Sequence, residues 1–468
     1  MSLPNQIHPF HVVGAGSQYQ VARSLRFRKS NSAYLSRTPS GAGNRQTWTW
    51  SGWVKFASIV STDYPTLFMG GATQSDTGAL RIGIGTNNLV VQGYNTNFIV
   101  SSQVFRDPSA WYHILIAFDT TQATASNRLK AYVNGTQITA FGTDNRASLT
   151  QNTNYGINQA ALHTIGYESA TFGSTYSDFY LSEYYFIDGQ ALTPSSFGTT
   201  DSVTGAWIPT RYTGTYGTNG FYLPFSDNSG ATATTIGKDS SGNGNNWTPS
   251  GISVTAGTTN DSLVDSPTSY GSDTGVGGEA RGNYCTINPL RKSASIAISN
   301  GNLYIDGNSG SVQWESIAST FLVKTGKWYF EFLVSSTYAA GNHMVGLARE
   351  DVNWSSSGQH YLTENSATGK ALDQNSTTND VVCVAFDMDL GYAWGTRNAS
   401  LGTNPTNGLS PDATFSTAYY WGPAFSMVCG RNNTGWANFG QRPFAYTAPS
   451  GFKALCTQNL PTPTIGLY

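Results

Sequence analysis

Aromatic residues alternate with small polar ones along much of this chain, and that period of two limits its fold more than any other feature. In Thr47-Trp48-Thr49-Trp50-Ser51-Gly52-Trp53-Val54-Lys55-Phe56, the side chains of Trp48, Trp50, Val54 and Phe56 project to one side of an extended backbone, while the threonines, Ser51 and Lys55 project to the other. Successive residues of a strand point to opposite faces, so the segment reads as a half-buried β-strand. Leu129, Ala131 and Val133 likewise share a face, just before Asn134-Gly135, a dipeptide suited to the positive φ angles of a tight hairpin turn. Further strands are expected at 113–118, 179–187, 221–225, 327–332, 344–348, 381–386 and 419–424. No segment before residue 250 carries a 3.6-residue period. With 51 glycines and only 11% charged residues, the chain has the turn-formers of many short strands and lacks the Ala, Leu, Glu and Lys of a helical protein. The expected fold class is therefore all-β.

The pattern lapses in places and divides the chain. Residues 1–22 hold Pro4, Pro9 and Gly14 with no sustained period, and read as an extended N-terminal arm. Strand signals fill 23–250. From 251 to 292 the sequence thins to Gly, Thr, Ser, Asp and Asn, the composition of a linker or of a long strap lying on the first domain. Strands resume over 293–458, and 459–468 reads as an extended C-terminal tail. Two antiparallel jelly-roll-type β-sandwiches joined by a strap is the simplest partition.

Charge and cysteine usage narrow the function. A net charge of −2 with no run of Lys or Arg argues against nucleic acid, whose phosphates are met by a concentrated basic face. No apolar stretch approaches the roughly 20 residues of a membrane span, so insertion into a bilayer is not expected. The first residues lack a basic head followed by an apolar core, so export by a cleavable leader is not expected either. Cys285, Cys383, Cys429 and Cys456 lie far apart without a CxxC pair, and read as reduced core thiols of a protein assembled in a reducing cytosol.

Two resemblances follow from particular motifs. Ser24-Leu25-Arg26-Phe27, Ala33-Tyr34-Leu35-Ser36-Arg37, the Trp48–Lys55 run, Trp111-Tyr112-His113, Lys130-Ala131-Tyr132-Val133-Asn134-Gly135 and Ile187-Asp188-Gly189 together resemble a laminin G-like, concanavalin A-like domain over 23–250. Gly326-Lys327-Trp328-Tyr329-Phe330-Glu331, Val345-Gly346-Leu347-Ala348 and the 380–387 run resemble a SPRY-type sandwich over about 295–455. There Tyr392-Ala393-Trp394-Gly395-Thr396-Arg397-Asn398 replaces the strand that usually ends in a Lys-Asn-Gly turn. Asn438-Phe439-Gly440-Gln441-Arg442-Pro443-Phe444, with Pro449-Ser450-Gly451-Phe452 and Leu460-Pro461-Thr462-Pro463, is similar to the C-terminal SPRY-like modules of phage structural proteins. The resemblance implies a tail fibre, or a capsid fibre or decoration protein, with adhesion as its task. It further implies location in the virion after assembly in the host cytoplasm, attachment to other virion proteins through the arm, and a homo-oligomer such as a trimer.

Catalysis is not expected. A β-glucanase-like site needs two carboxylates flanking the scissile bond, and none of the seven glutamates sits in a Glu-x-Asp-x-x-Glu array. Glu331 reads as a structural or surface carboxylate, and Asp387 and Asp389 share a strand face without a third acid. His8 and His11 could hold a metal between subunits, although an ordinary polar arm explains them. In Asp239-Ser240-Ser241-Gly242-Asn243-Gly244-Asn245-Asn246-Trp247, the oxygens of Asp239, Asn243 and Asn245 could hold Ca²⁺ near Trp247, or the run could simply be Asx and Gly turns. No other cofactor is expected. Trp354, Trp394 and Trp436 stand in loop-like surroundings, as platforms for a partner or as rings packed under their loops. Trp354 and Trp394 are the preferred pair, because SPRY-type modules bind through loops at one end of the sandwich. The expected function is binding of a host surface glycan or protein. A non-adhesive decoration protein and a glycan depolymerase are the alternatives.

Overall fold

The computed structural model describes residues 19–57, 64–169, 173–202, 204–308, 310–352, 354, 362 and 367–461. His8, His11, most of the N-terminal arm and residues 462–468 of the tail lie outside this set. The chain is all-β, built as antiparallel sandwiches.

Two eight-stranded sheets form the first sandwich. One runs in the order 136–137, 129–133, 111–119, 47–56, 179–188, 24–27, 262–263, with 221–223 also paired to 179–188. The other runs 141–144, 97–104, 88–92, 79–85, 66–71, 163–165, 34–37, 248–250. The alternation in Thr47–Phe56 places Trp48, Trp50, Val54 and Phe56 in the core between these sheets. Asn134 and Gly135 take φ of 47° and 80° and join Leu129–Val133 to Thr136–Gln137, as the Asn-Gly dipeptide requires.

The second sandwich pairs a five-stranded sheet, 287–292, 313–319, 421–429, 343–349, 369–373, with an eight-stranded one. The latter runs 297–299, 304–306, 434–438, 327–336, 381–387, 392–397, 413–414, and 453–454 adds to 327–336 in parallel. Where the SPRY-type pattern breaks, residues Tyr392–Arg397 still form a strand, registered antiparallel on Val381–Asp387. The strands differ from expectation in extent and in burial. The strand expected over 419–424 begins at Trp421, leaving Tyr419 and Tyr420 in the preceding loop. Thr47–Phe56 is buried on both faces rather than one.

At the Trp53 and Lys55 end that second difference comes from the segment 251–292, while Thr49 is covered by Gln190 and Leu192 and Ser51 by His113. Ser262–Leu263 extends the first sandwich as an edge strand beside Ser24–Phe27. Asp265 receives Lys55 Nζ at 2.8 Å and the Trp111 indole N–H at 3.0 Å, while Asn283 Oδ1 and the Tyr284 carbonyl also accept from Lys55. Trp53, Ala57, Trp111 and Tyr180 then share one apolar cluster with Cys285 and Ile287 at the end of this segment, the latter already in a strand of the second sandwich, and with Leu303 and Phe439 beyond it. The outer face of the first sandwich is thus the floor of the junction with the second. All four cysteines are buried free thiols; burial pushes Cys285 up to about 11 and Cys383, Cys429 and Cys456 up to about 12.

Candidate binding surface

Strand register brings four loops to one end of the second sandwich. Arg349 pairs with Trp421 in one sheet, and Lys327 and Tyr392 both pair with Asp387 in the other. The connection 320–326 ties these ends together: Val323 bridges Trp421, and the Met388 amide donates to the Gly326 carbonyl at 2.9 Å. Residues 320–326, 350–352, 388–391 and 415–420 therefore lie side by side.

Tyr419 and Tyr420 stand out on this end, at 38% and 43% exposure. Trp421 beneath them is fully buried, and its indole N–H donates to the Ser416 carbonyl at 2.9 Å, which anchors the loop that carries the tyrosines. Each ring has a cation beside it. The Arg349 guanidinium lies 4.0 Å from the Tyr419 centroid, and Lys324 Nζ lies 5.3 Å from that of Tyr420. Asp351 fixes Arg349 through two bonds of 2.6 Å; this pairing raises the guanidinium pKa and lowers that of the carboxyl. The Glu350 amide donates to the Tyr420 carbonyl at 3.0 Å. Ring faces, guanidinium and carboxylates together can hold a sugar face or a polar peptide.

Of the two places open to the tryptophans singled out from sequence, platform for a partner or ring packed under its loop, Trp247, Trp354 and Trp394 take the packed one, and none of the four lies at this end of the sandwich among the exposed residues. Trp247 is 1% exposed in the first core, against Phe221 and Phe68. Trp394, on its strand, donates its N–H to the Leu409 carbonyl at 2.8 Å and packs against Phe452. Trp354 is buried in a small cluster with Met344 and Ala348, and the Arg291 guanidinium lies 5.8 Å from its ring; most of the residues around it in sequence are outside the described set. Trp436 is half-buried beside Tyr304, with Arg26 of the first sandwich 5.9 Å away, so it belongs to the junction. Loop-like sequence around a Trp reports a turn nearby, and a large apolar ring gains most by packing beneath that turn.

The 239–247 run is a turn. Asp239 Oδ1 accepts the amides of Tyr222 and Ser241 at 2.9 and 2.8 Å, and Oδ2 accepts the Ser241 hydroxyl and the Asn245 amide, both at 2.8 Å. The Nδ2 groups of Asn243 and Asn245 donate to carbonyls of 217–220, and the Arg37 guanidinium donates to Asn245 Oδ1. A carboxylate already filled by four donors, beside an amide oxygen that meets a cation, does not fit Ca²⁺. Among the described residues there is no group of three or more His, Cys, Asp or Glu placed to share a metal.

The carboxylates weighed for catalysis have structural partners. Glu331 accepts the amides of Ala445 and Tyr446 at 2.8 Å and the Tyr329 hydroxyl at 3.0 Å, holding the loop after the Thr434–Asn438 strand. Asp387 is fully buried, accepts the amides of Asp389 and Leu390, and lies 3.2 Å from Lys327 Nζ. The Tyr419-Tyr420 pair was missed because a period of two cannot tell the first residues of a strand from the loop before it. The bulky Trp421-Gly422-Pro423 that follows was the available signal for the boundary.

No protein-family model matches the chain, and no curated protein matches it. Solved structures similar to parts of it include the SPRY domain of human HERC1, at 16% identity, covering 32% of this chain and 96% of that one with a TM-score of 0.25. Another is a native heptameric SAP-like pentraxin from Limulus polyphemus, at 14% identity, covering 41% and 94% with a TM-score of 0.30. The TRIM65 PSpry domain is similar at 13% identity, covering 33% and 89% with a TM-score of 0.24.

Proposed function

We propose that the chain is a non-catalytic structural protein of a bacteriophage virion, a fibre or adhesin that binds a host surface glycan or protein through its sandwich loops. In this reading the first sandwich is a laminin G-like scaffold, and the N-terminal residues attach it to other virion proteins. Copies assemble in the host cytoplasm as a homo-oligomer, a trimer being the simplest fibre. The observation that carries the binding role is the exposed Tyr419-Tyr420 pair with Arg349 and Lys324 beside the rings at a loop-built end. Aromatic and arginine side chains on a rigid base are the composition of binding hot spots. The virion assignment rests on the sequence resemblance alone. A depolymerase is disfavoured by Glu331 and Asp387, whose oxygens serve the fold.

Competition for adsorption tests this reading. Purified soluble chain should lower attachment of the phage to its host, and Tyr419→Ala/Tyr420→Ala should lose that competition while keeping its melting temperature. Undiminished adsorption, with particles that lose shell or tail stability when the protein is missing, would instead establish the decoration role.

A further inference from the structure

A second concave surface lies on the first sandwich, remote in sequence from the loops at the end of the second. Residues 211–218 with Ser240, Ser241 and Asn243 line an open groove of about 830 Å³, within the range of small-ligand sites. Its lining is unusual in what it contains. Tyr212 and Tyr216 stand edge to face, with centroids 5.2 Å apart, and Tyr216 is half-buried, so part of its ring is open to contact. Thr213, Ser241 and Asn243 contribute hydroxyl and amide groups, no aliphatic side chain takes part, and Arg211 is the single charged residue of the lining.

The walls are fixed before any ligand arrives. Asn243 Nδ2 donates to the carbonyls of Gly217 and Gly220 at 2.7 and 2.9 Å. Gln190 Nε2 and the Tyr212 hydroxyl both donate to the Thr215 carbonyl, at 2.9 and 3.0 Å, and the Asp188 amide donates to that of Tyr216. A groove held by this many bonds loses little conformational entropy on binding.

Arg211 is exposed and has no carboxylate within ion-pair distance among the described residues. Its guanidinium lies 5.5 Å from the ring centroid of Tyr222, whose hydroxyl donates to buried Glu183 at 2.9 Å. Burial pushes the Glu183 carboxyl up, against the hydrogen bonds from Tyr185 and Tyr222 and the charge of Arg211, which pull it down.

We propose that this groove binds an acidic oligosaccharide, with sugar rings on Tyr216 and the 213–218 wall and a uronate carboxylate paired to Arg211. A planar guanidinium matches a carboxylate in bidentate fashion, and hydroxyl-rich walls without aliphatic side chains suit a polyol better than a peptide. This site is additional to the tyrosine pair of the second sandwich and does not depend on the chain being a virion protein.

Titration calorimetry on the full chain tests it, with trigalacturonate, maltotriose and hexaglutamate as probes. Trigalacturonate should bind with a Kd below about 1 mM and about tenfold tighter than maltotriose. Arg211→Ala should remove that preference, and Thr213→Trp, which fills the groove from an exposed position, should abolish binding of both sugars. Tyr419→Ala/Tyr420→Ala should leave the trigalacturonate affinity unchanged, so failure of one site is read separately from failure of the other. No heat with trigalacturonate, affinity that survives both groove variants, or a preference for hexaglutamate would overturn the proposal.

Discussion

His113 shows how a side chain that reads as polar can belong wholly to the interior. It lies in the Trp111–Asp119 strand at 1% exposure, with Trp207 donating its indole N–H to Nδ1 at 3.0 Å. Because an indole can only donate, Nδ1 must be the bare nitrogen, so the proton sits on Nε2 and is given to Ser51 Oγ at 2.8 Å. Burial holds its pKa at about 3. His163 is fixed in the opposite tautomer, accepting the Asn158 amide at Nε2, and its pKa is held at about 4. The sign of the resulting pH effect follows directly. A histidine with a depressed folded pKa is protonated first in the unfolded chain, so stability falls as the pH drops from about 6.5 towards the folded value. Between pH 6.5 and 4.5 His113 alone should remove about 2 kcal/mol. Urea denaturation of His113→Gln over that range should show a loss of stability smaller by that amount than in the native chain; an equal loss in both would mean that the imidazole titrates in the fold as it does in the unfolded chain. The alternation of Thr47–Phe56 was legible in the sequence, whereas the solvation of its polar side was not. Ser51 and Lys55 are buried by partners at 113 and 265, and a local period carries no information about such distant partners.

Strands and tight turns were legible because each is a local pattern, and Asn134-Gly135 was placed by its φ preference alone. The segment 251–292 was readable only as linker or strap, since small polar residues serve either. What decides between them is a set of buried charges. Asp261, fully buried, accepts Arg26 Nε at 3.1 Å and Arg28 Nε and Nη2 at 2.7 and 3.0 Å, and also the Ser253 amide at 2.9 Å. Arg26 in turn reaches the carbonyls of Thr258, Asn260 and Asn300. Removing one partner of a buried ion pair leaves uncompensated charge, at a cost of about 3–5 kcal/mol. Asp261→Ala should therefore lower the stability by about that much in urea titration and open the 251–263 stretch to limited proteolysis. If the variant keeps native stability and protease resistance, the strap is held by its Ser262–Leu263 strand and not by its charges.

At the scale of the whole molecule, sequence division into modules suggests two bodies, and the contacts between them argue for one. The hairpin between the Ala297–Ser299 and Tyr304–Asp306 strands turns through Asn300, Gly301 and Asn302, all at positive φ. That turn enters the first sandwich: the Gly301 carbonyl accepts the Tyr180 hydroxyl at 2.5 Å, the Asn300 carbonyl accepts Arg26, and the Asn300 amide donates to Asp178. A Cβ on Gly301 would lie 2.4 Å from the Tyr180 hydroxyl oxygen and 2.7 Å from Arg26 Cδ, at a φ of +75° that disfavours any side chain. With Trp53, Trp111 and Tyr180 in the same apolar cluster as the second core, neither sandwich can unfold without baring the surface that holds the other. Calorimetry should therefore record one transition, with equal van't Hoff and calorimetric enthalpies. Gly301→Ala, which strains the turn while leaving both cores intact, should split it in two. Two transitions in the native chain would show that the junction is a docking contact rather than shared core, and that the tyrosine pair and the Arg211 groove sit on bodies free to move apart.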